Sequence, residues 1–210
     1  MVEFQKKLAG YAKKIMPWFF EIKIAGEKNI KNLKGSLIII APHKSYADHP
    51  AILSSLPENH DLFPIRAIAK SSLFGKIWLG NFLRRAGAIP KNQVREVIKI
   101  LKDGGVAGVY PEGKLMPEPG IHKFEKGAAF LARKTGAPIL PIVICGLENF
   151  TIRKTIFTLN NFFRKRKIIV AFGEPFYIEA TSRHDDEKNT EQIRQKVSEL
   201  YQKHSQSTLS

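Results

Sequence analysis

The chain has 210 residues, 43% of them hydrophobic and 25% charged, and its 34 Lys+Arg against 19 Asp+Glu give a formal net charge of +15. That length supports one sizeable core, and the basic balance points to an anionic partner: nucleic acid, a phospholipid surface or a phosphate-bearing small molecule. A single cysteine, Cys145, excludes an intrachain disulfide and suits a reducing compartment.

The first element is "FQKKLAGYAKKIMPW". Phe4, Leu8, Tyr11 and Ile15 recur at helical spacing, and Pro17 is expected to end or kink the helix. Lys6, Lys7, Lys13 and Lys14 interrupt any apolar core of a secretion signal. No apolar run approaches the ~20 residues that span a bilayer. The expectation is a soluble or peripheral protein in the cytoplasm. "FEIKIAG" reads as a strand, "EKNIKNLKG" as a turn and "SLIII" as a buried strand. "HPAILSSL" opens a helix, with Pro50 in its first turn and His49 or Asp48 near its cap. "LFPIRAIAK" is a strand, "SLFGKIWLGNFLRRAG" a helix and "AIPK" a short extended piece. "NQVREVIKILKDGG" is a helix that stops at glycine, followed by a strand in "VAGVYPEG". "KGAAFLARKTG" is a helix, "APILPIVICG" and "KIIVAFGEPF" are strands, and "EQIRQKVSELYQKH" is a closing helix.

No internal repeat or low-complexity linker divides the chain, so residues 1–210 read as one domain: an amphipathic segment over 1–21, a core over 22–180 and a C-terminal helix and tail over 181–210. Strands alternating with helices predict an α/β fold with a mixed, mostly parallel sheet covered by helices. Chemistry in such sheets sits where strands end and loops meet. Two stretches follow strands in that way.

In "APHKSYADHP", His43 and Asp48 are five positions apart. An imidazole can take a proton from an alcohol near neutral pH if a carboxylate holds its tautomer. The same residues also fit a plain turn, with Asp48 capping the helix through backbone N–H groups. In "VYPEGKLMPEPGIHKFEKG", Glu112 and Gly113 project from a strand end. Glu112 could orient a polar substrate and Gly113 could admit a backbone N–H to an oxyanion, or the pair could be a solvated turn. Cys145 lies in an apolar strand and reads as a structural thiol. The histidines His43, His49, His60, His122, His184 and His204 lack metal-ligand spacing, so no metal is expected.

Taken together these stretches resemble the glycerolipid acyltransferases, which include the 1-acylglycerol-3-phosphate acyltransferases. "HKSYAD" matches their His-four-residues-Asp motif. "AKSSLFGKIWLGNFLRRAGAIPK" resembles the second block through Lys70, Phe74, Gly75, Gly87 and Ile89. "YPEGKLMPEPGIHKFEKGAAFLA" resembles the third through Pro111, Glu112, Gly113, Phe124, Lys126 and Gly127, and the strand with Pro141 resembles the fourth. The resemblance spans roughly residues 22–175. It implies that His43 is a general base, that Asp48 orients it, and that an acceptor alkoxide attacks an acyl thioester directly. Acyl-CoA or acyl-carrier protein would be the co-substrate, with no other cofactor. Glu112 and Gly113 would help bind the acceptor and settle the tetrahedral intermediate.

Three positions depart from the family pattern. Lys91 stands where an arginine usually grips the acceptor phosphate, and in "PEGKLMP" Lys114 and Leu115 replace the usual threonine and arginine. Lys70, Lys91, Lys114 and Lys126, with Arg85, could rebuild the phosphate clamp as point charges. The expected acceptor is a lysophospholipid, foremost 1-acylglycerol-3-phosphate. Another lysophospholipid or an amino-acid-derived lipid is the alternative. A reading of another class, a non-catalytic basic module for nucleic acid or anionic surfaces, has the charge but no recognisable nucleic-acid motif. No nucleic acid is expected. Two basic–aromatic stretches, Trp18, Phe19 and Phe20 behind the first helix and "NFTIRKTIFTLNNFFRKRK", would dock the protein on anionic phospholipid at the inner face of the cytoplasmic membrane.

Overall fold

A strand with only apolar side chains has no face to give to water, so it belongs in the middle of a covered sheet. Leu37–Ile40 (β2) is such a strand and is buried throughout. Leu37 and Ile39 join one core cluster and Ile38 and Ile40 the other, as the period-two alternation of an extended chain requires. The computed structural model describes residues 1–57, 60–150, 165–179 and 182–206. Its other strands are Phe20–Ala25 (β1), Ile65–Ala69 (β3), Ile89–Pro90 (β4), Val106–Val109 (β5), Ile139–Cys145 (β6) and Arg166–Phe172 (β7).

The strands lie in the order β1-β7-β6-β2-β5-β3-β4. From β6 to β4 every pairing is parallel; β7 runs antiparallel to β6, and β1 parallel to β7. This is the mixed, mostly parallel sheet that the sequence predicts. Val2–Phe19 (α1) and Asp48–Ser55 (α2) cover one face with Ala9, Met16, Ala51, Ile52 and Leu53. Burying Ile52 and Leu53 is worth about 1.5–3 kcal/mol each. Val94–Lys102 (α4), Gly127–Thr135 (α5) and Asp186–Ser205 (α6) cover the other face through Val97, Leu101, Ala128, Leu131, Ile193 and Val197. Ile77–Arg85 (α3) lies near the β3–β4 edge and buries only Gly80.

Three expectations need correction. Pro17 does not end the first helix, which runs on to Phe19 with the Phe20 N–H bonded to the Met16 carbonyl. Phe20 is not a surface aromatic: it opens β1, is 3% exposed, and packs edge-to-face on Phe150 at 4.9 Å. The helix expected across "SLFGKIWLGNFLRRAG" is broken, because residues 71–75 form a tight turn that folds back on α3. A side chain at Gly80 would run into the Phe74 carbonyl, so only glycine admits that approach.

α1 is tied into the fold. The side chain of Gln5, buried among apolar residues, donates to the carbonyls of Ile65 (2.7 Å) and Ala86 (2.6 Å) and accepts from the Ile65 N–H (2.9 Å). No helix among the described residues is long and apolar enough to cross a membrane. Of the second basic–aromatic stretch, residues 151–164, with Arg153, Lys154, Ile156, Phe157, Phe162, Phe163 and Arg164, lie outside the described residues, while Arg166 and Lys167 open β7.

Candidate active site

Parallel pairing aligns the ends of neighbouring strands. Ile40 of β2 pairs with Val109 of β5, and Ala69 of β3 with Pro90 of β4. The loops leaving β2, β5, β3 and β4 therefore emerge side by side, and they carry in turn His43, Tyr110 to Lys114, Lys70 and Lys91. Residues from four distant stretches meet at the C-terminal edge of the sheet, where open α/β sheets place their ligands.

His43 and Asp48 are in contact. His43 Nδ1 lies 2.9 Å from Asp48 Oδ2, which also accepts from the backbone N–H groups of Lys44 (2.7 Å) and Ser45 (2.9 Å). A carboxylate oxygen already holding two donors makes Nδ1 the third donor, so Nε2 carries the free lone pair. Asp48 thus plays both roles that the sequence leaves open. It holds the turn ahead of α2, and it fixes the ring. It is fully buried, and burial pushes its carboxyl above the usual carboxylate range against the opposing hydrogen bonds from His43, Ser45 and Lys44. The His43 ring stacks on Tyr110 at 4.3 Å and 24°. His49, half-buried on the same wall, has its pKa pushed down to about 4 by burial and the proximity of His43.

Glu112 sits beneath His43. Its Oε2 accepts the backbone N–H of His43 (2.9 Å), and its Oε1 accepts that of His122 (3.3 Å) and faces Lys44 Nζ at 3.5 Å. Lys44 is 2% exposed and also donates to the Glu118 carbonyl at 3.1 Å. These partners occupy both Glu112 oxygens. Gly113, with φ +69°, gives its N–H to the Tyr110 carbonyl (3.1 Å), and what it offers the site is space. A side chain there would strike the Glu125 carboxylate.

A cavity of about 1210 Å³ runs past His43. On the α1–α2 side its walls are Leu8, Ala12, Met16, Leu53 and Phe150, and on the α4–α5 side Val94, Val97, Ala128 and Leu131. Lys70, Lys91, Lys114, Leu115, Gly113 and Glu125 line it between them. Lys91 is ion-paired with Glu125. Lys126 instead faces Glu187 at 3.3 Å, and Arg85 lies over the Phe4 ring at 4.8 Å. The fold therefore gathers three of the four proposed lysines around one cavity. An apolar cavity lined by an imidazole and three lysines suits an amphiphile with an acyl chain and an anionic head. Among the described residues, no group of three His, Cys, Asp or Glu side chains could hold a metal ion.

Sequence reasoning did not find Lys44, Tyr110, His49 or Glu125. Lys44 sits inside the first motif, yet nothing in a single chain marks a lysine as buried. Tyr110 follows β5, and its contact with His43 depends on β5 lying beside β2, which strand order alone decides.

A family model described as Acyltransferase matches residues 21–145. The chain is 26% identical over 195 residues to the 1-acyl-sn-glycerol-3-phosphate acyltransferase of Bacillus subtilis, covering 87% of this chain and 89% of that protein. It is 30% identical over 155 residues to the protein of that name from Borreliella burgdorferi, covering 69% and 60%. The crystal structure of the 1-acyl-sn-glycerophosphate acyltransferase of Thermotoga maritima superposes with a TM-score of 0.67 at 24% identity, over 93% of this chain and 78% of that one, and so shares the fold.

Proposed function

Since the chain belongs to the acyltransferase family, we propose that it moves a fatty acyl chain from a thioester, acyl-CoA or acyl-carrier protein, to the free hydroxyl of 1-acylglycerol-3-phosphate and so makes phosphatidate. The observation that carries this reading is the His43 Nδ1 to Asp48 Oδ2 contact of 2.9 Å on the wall of an apolar cavity that also holds three lysines. His43 Nε2 takes the hydroxyl proton as the acceptor oxygen bonds to the thioester carbonyl carbon. The tetrahedral intermediate collapses, the C–S bond breaks, and the imidazolium returns the proton to the leaving thiolate. Asp48 steadies the imidazolium while it exists.

Glu112 and Lys44 act at one remove, by setting the backbone from which His43 projects. Lys70, Lys91 and Lys114 receive the acceptor phosphate as point charges. The protein works as a peripheral enzyme at the inner face of the cytoplasmic membrane, where both substrates are anionic amphiphiles.

A second reading keeps the chemistry and changes the acceptor to a lysophospholipid whose head also carries an ammonium group. What favours it is the Glu125 carboxylate beside Lys91 in the cavity. One experiment addresses both. The purified protein is incubated with one acyl-CoA, or with acyl-carrier protein, and a panel of lysophospholipids; thiol release and the diacyl product are followed. Phosphatidate as the dominant product supports the first reading. Thiol release only with zwitterionic acceptors supports the second, and none with any acceptor ends both.

A further inference from the structure

The cavity opens through an apolar rim. Ile15, Tyr46, Leu73, Phe82 and Val94 line it and are at the same time solvent-exposed. Next to them in the chain, and not lining it, are Trp18, Ile77 and Trp78, which are 74%, 78% and 92% exposed. A helix that only needed to be folded would bury an apolar face, but α3 buries Gly80 alone. It is nevertheless held firmly: Phe82 meets Phe4 of α1 edge-to-face at 6.1 Å, Arg85 lies over Phe4, and Arg84 covers Phe74 at 5.1 Å. α1 and α3 thus touch through Phe4, Phe82 and Arg85, and each contributes exposed apolar side chains to the rim, Ile15 from α1 and Phe82 from α3.

The chain around α3 is basic, although two of its cations are paired from elsewhere, Arg66 with Glu96 and Lys91 with Glu125. From Arg66 to Asn92 the chain carries Arg66, Lys70, Lys76, Arg84, Arg85 and Lys91 and no acidic residue. Exposed tryptophan and isoleucine flanked in the chain by an excess of cations match the boundary of an anionic bilayer, where indoles settle at headgroup depth and basic groups meet the surface potential.

We propose that α3 is an interfacial helix: Ile77 and Trp78 enter the headgroup–acyl boundary of an anionic phospholipid bilayer beside Ile15 and Trp18 of α1, so that the cavity mouth faces the membrane. An acyl chain then moves between bilayer and cavity without crossing water. Docking itself stands on the exposed residues and the charge; that an acyl chain uses the route rests on the acyltransferase reading.

The chain has two tryptophans, Trp18 and Trp78, so Trp18→Phe leaves Trp78 as the sole reporter. With vesicles containing phosphatidylglycerol, its emission shifts to the blue and is quenched by lipids brominated on their acyl chains. Pure phosphatidylcholine vesicles produce little change. In the full chain, Ile77→Ser/Trp78→Ser lowers the vesicle-bound fraction about tenfold and leaves transfer between water-soluble short-chain substrates unchanged. Trp78 emission that ignores anionic vesicles overturns the proposal. So does equal binding to neutral ones, a shift that tracks protein concentration and dimer formation, or a shift caused only by an acidic carrier protein. An intact blue shift without transfer to any acceptor would count against the proposed function and leave the docking face standing.

Discussion

The backbone N–H of His43 donates to Glu112 Oε2 at 2.9 Å, which joins the loop after β2 to the loop after β5. Glu112, the glutamate that the sequence reading places near a substrate, thus holds the backbone of His43. It also faces Lys44, and both side chains are nearly sealed from water. Removing one partner of a buried pair leaves an uncompensated charge, at about 3–5 kcal/mol. Glu112→Gln keeps an acceptor for His43 but strands Lys44, so urea denaturation should show a loss of that order. Lys44→Met/Glu112→Gln should recover most of it. A single variant as stable as the parent would contradict this account.

His43→Ala should abolish acyl transfer while the fold persists, since Asp48 keeps the Lys44 and Ser45 N–H groups that hold the turn; circular dichroism checks the second half. Asp48→Asn is the sharper test. Its amide oxygen can still receive the Lys44 and Ser45 N–H groups, so the turn survives while the imidazolium loses its counter-charge. A fall in kcat of roughly 10²–10⁴ is expected. Because burial raises the Asp48 carboxyl in the folded state, its ionised form carries a stability cost at neutral pH, and the amide should not lower stability there. Activity retained in Asp48→Asn would remove the base assignment.

Gly113→Ala should be costly for two reasons. The position needs φ +69°, and the added carbon meets the Glu125 carboxylate. The strain is worth about 1–3 kcal/mol, and the displaced Glu125 releases Lys91. Steady-state kinetics should show the acceptor KM altered more than kcat, with Glu125→Ala in the same chain restoring part of the stability. An unchanged melting temperature for Gly113→Ala would refute the crowding.

Acid should destabilise the protein through His49. Its folded pKa is about 4 against 6.5 for a free imidazole. The unfolded chain therefore binds a proton first, and stability is complete above about pH 6.5, falls as the pH drops toward 4, and levels off below. The loss reaches up to about 3 kcal/mol. In His49→Gln the part of the pH dependence between 6.5 and 4 should flatten, as read from urea midpoints across that range.

The Cys145 thiol lies within β6 with no exposed surface, and burial, with Glu148 nearby, pushes it up to about 12. A thiol so placed is not a thiolate at neutral pH. Ellman's reagent should leave the native protein untouched and modify it on unfolding. Prompt reaction of the native chain would mean that β6 is not sealed.

Most of the architecture could be read from one chain, because burial writes itself into local pattern. "LIII" and "PILPIVIC" are apolar throughout and became central strands, and Gly104 and Gly136 closed helices near the predicted points. The His43 and Asp48 pair was legible for the same reason, since five residues of turn suffice to bring them together. Three-dimensional packing decided what local pattern does not encode. Pro17 stayed inside α1 and Phe20 went into the core, because packing on α2 and the sheet outweighed the local signals. Lys44 was buried because Glu112, far along the chain, arrived beneath it. Lys126 was turned toward Glu187 while Lys70, Lys91 and Lys114 were gathered round one cavity. A sequence records what each residue prefers from water. Which distant strands become neighbours, and so which side chains share a cavity, follows only from closing the whole sheet.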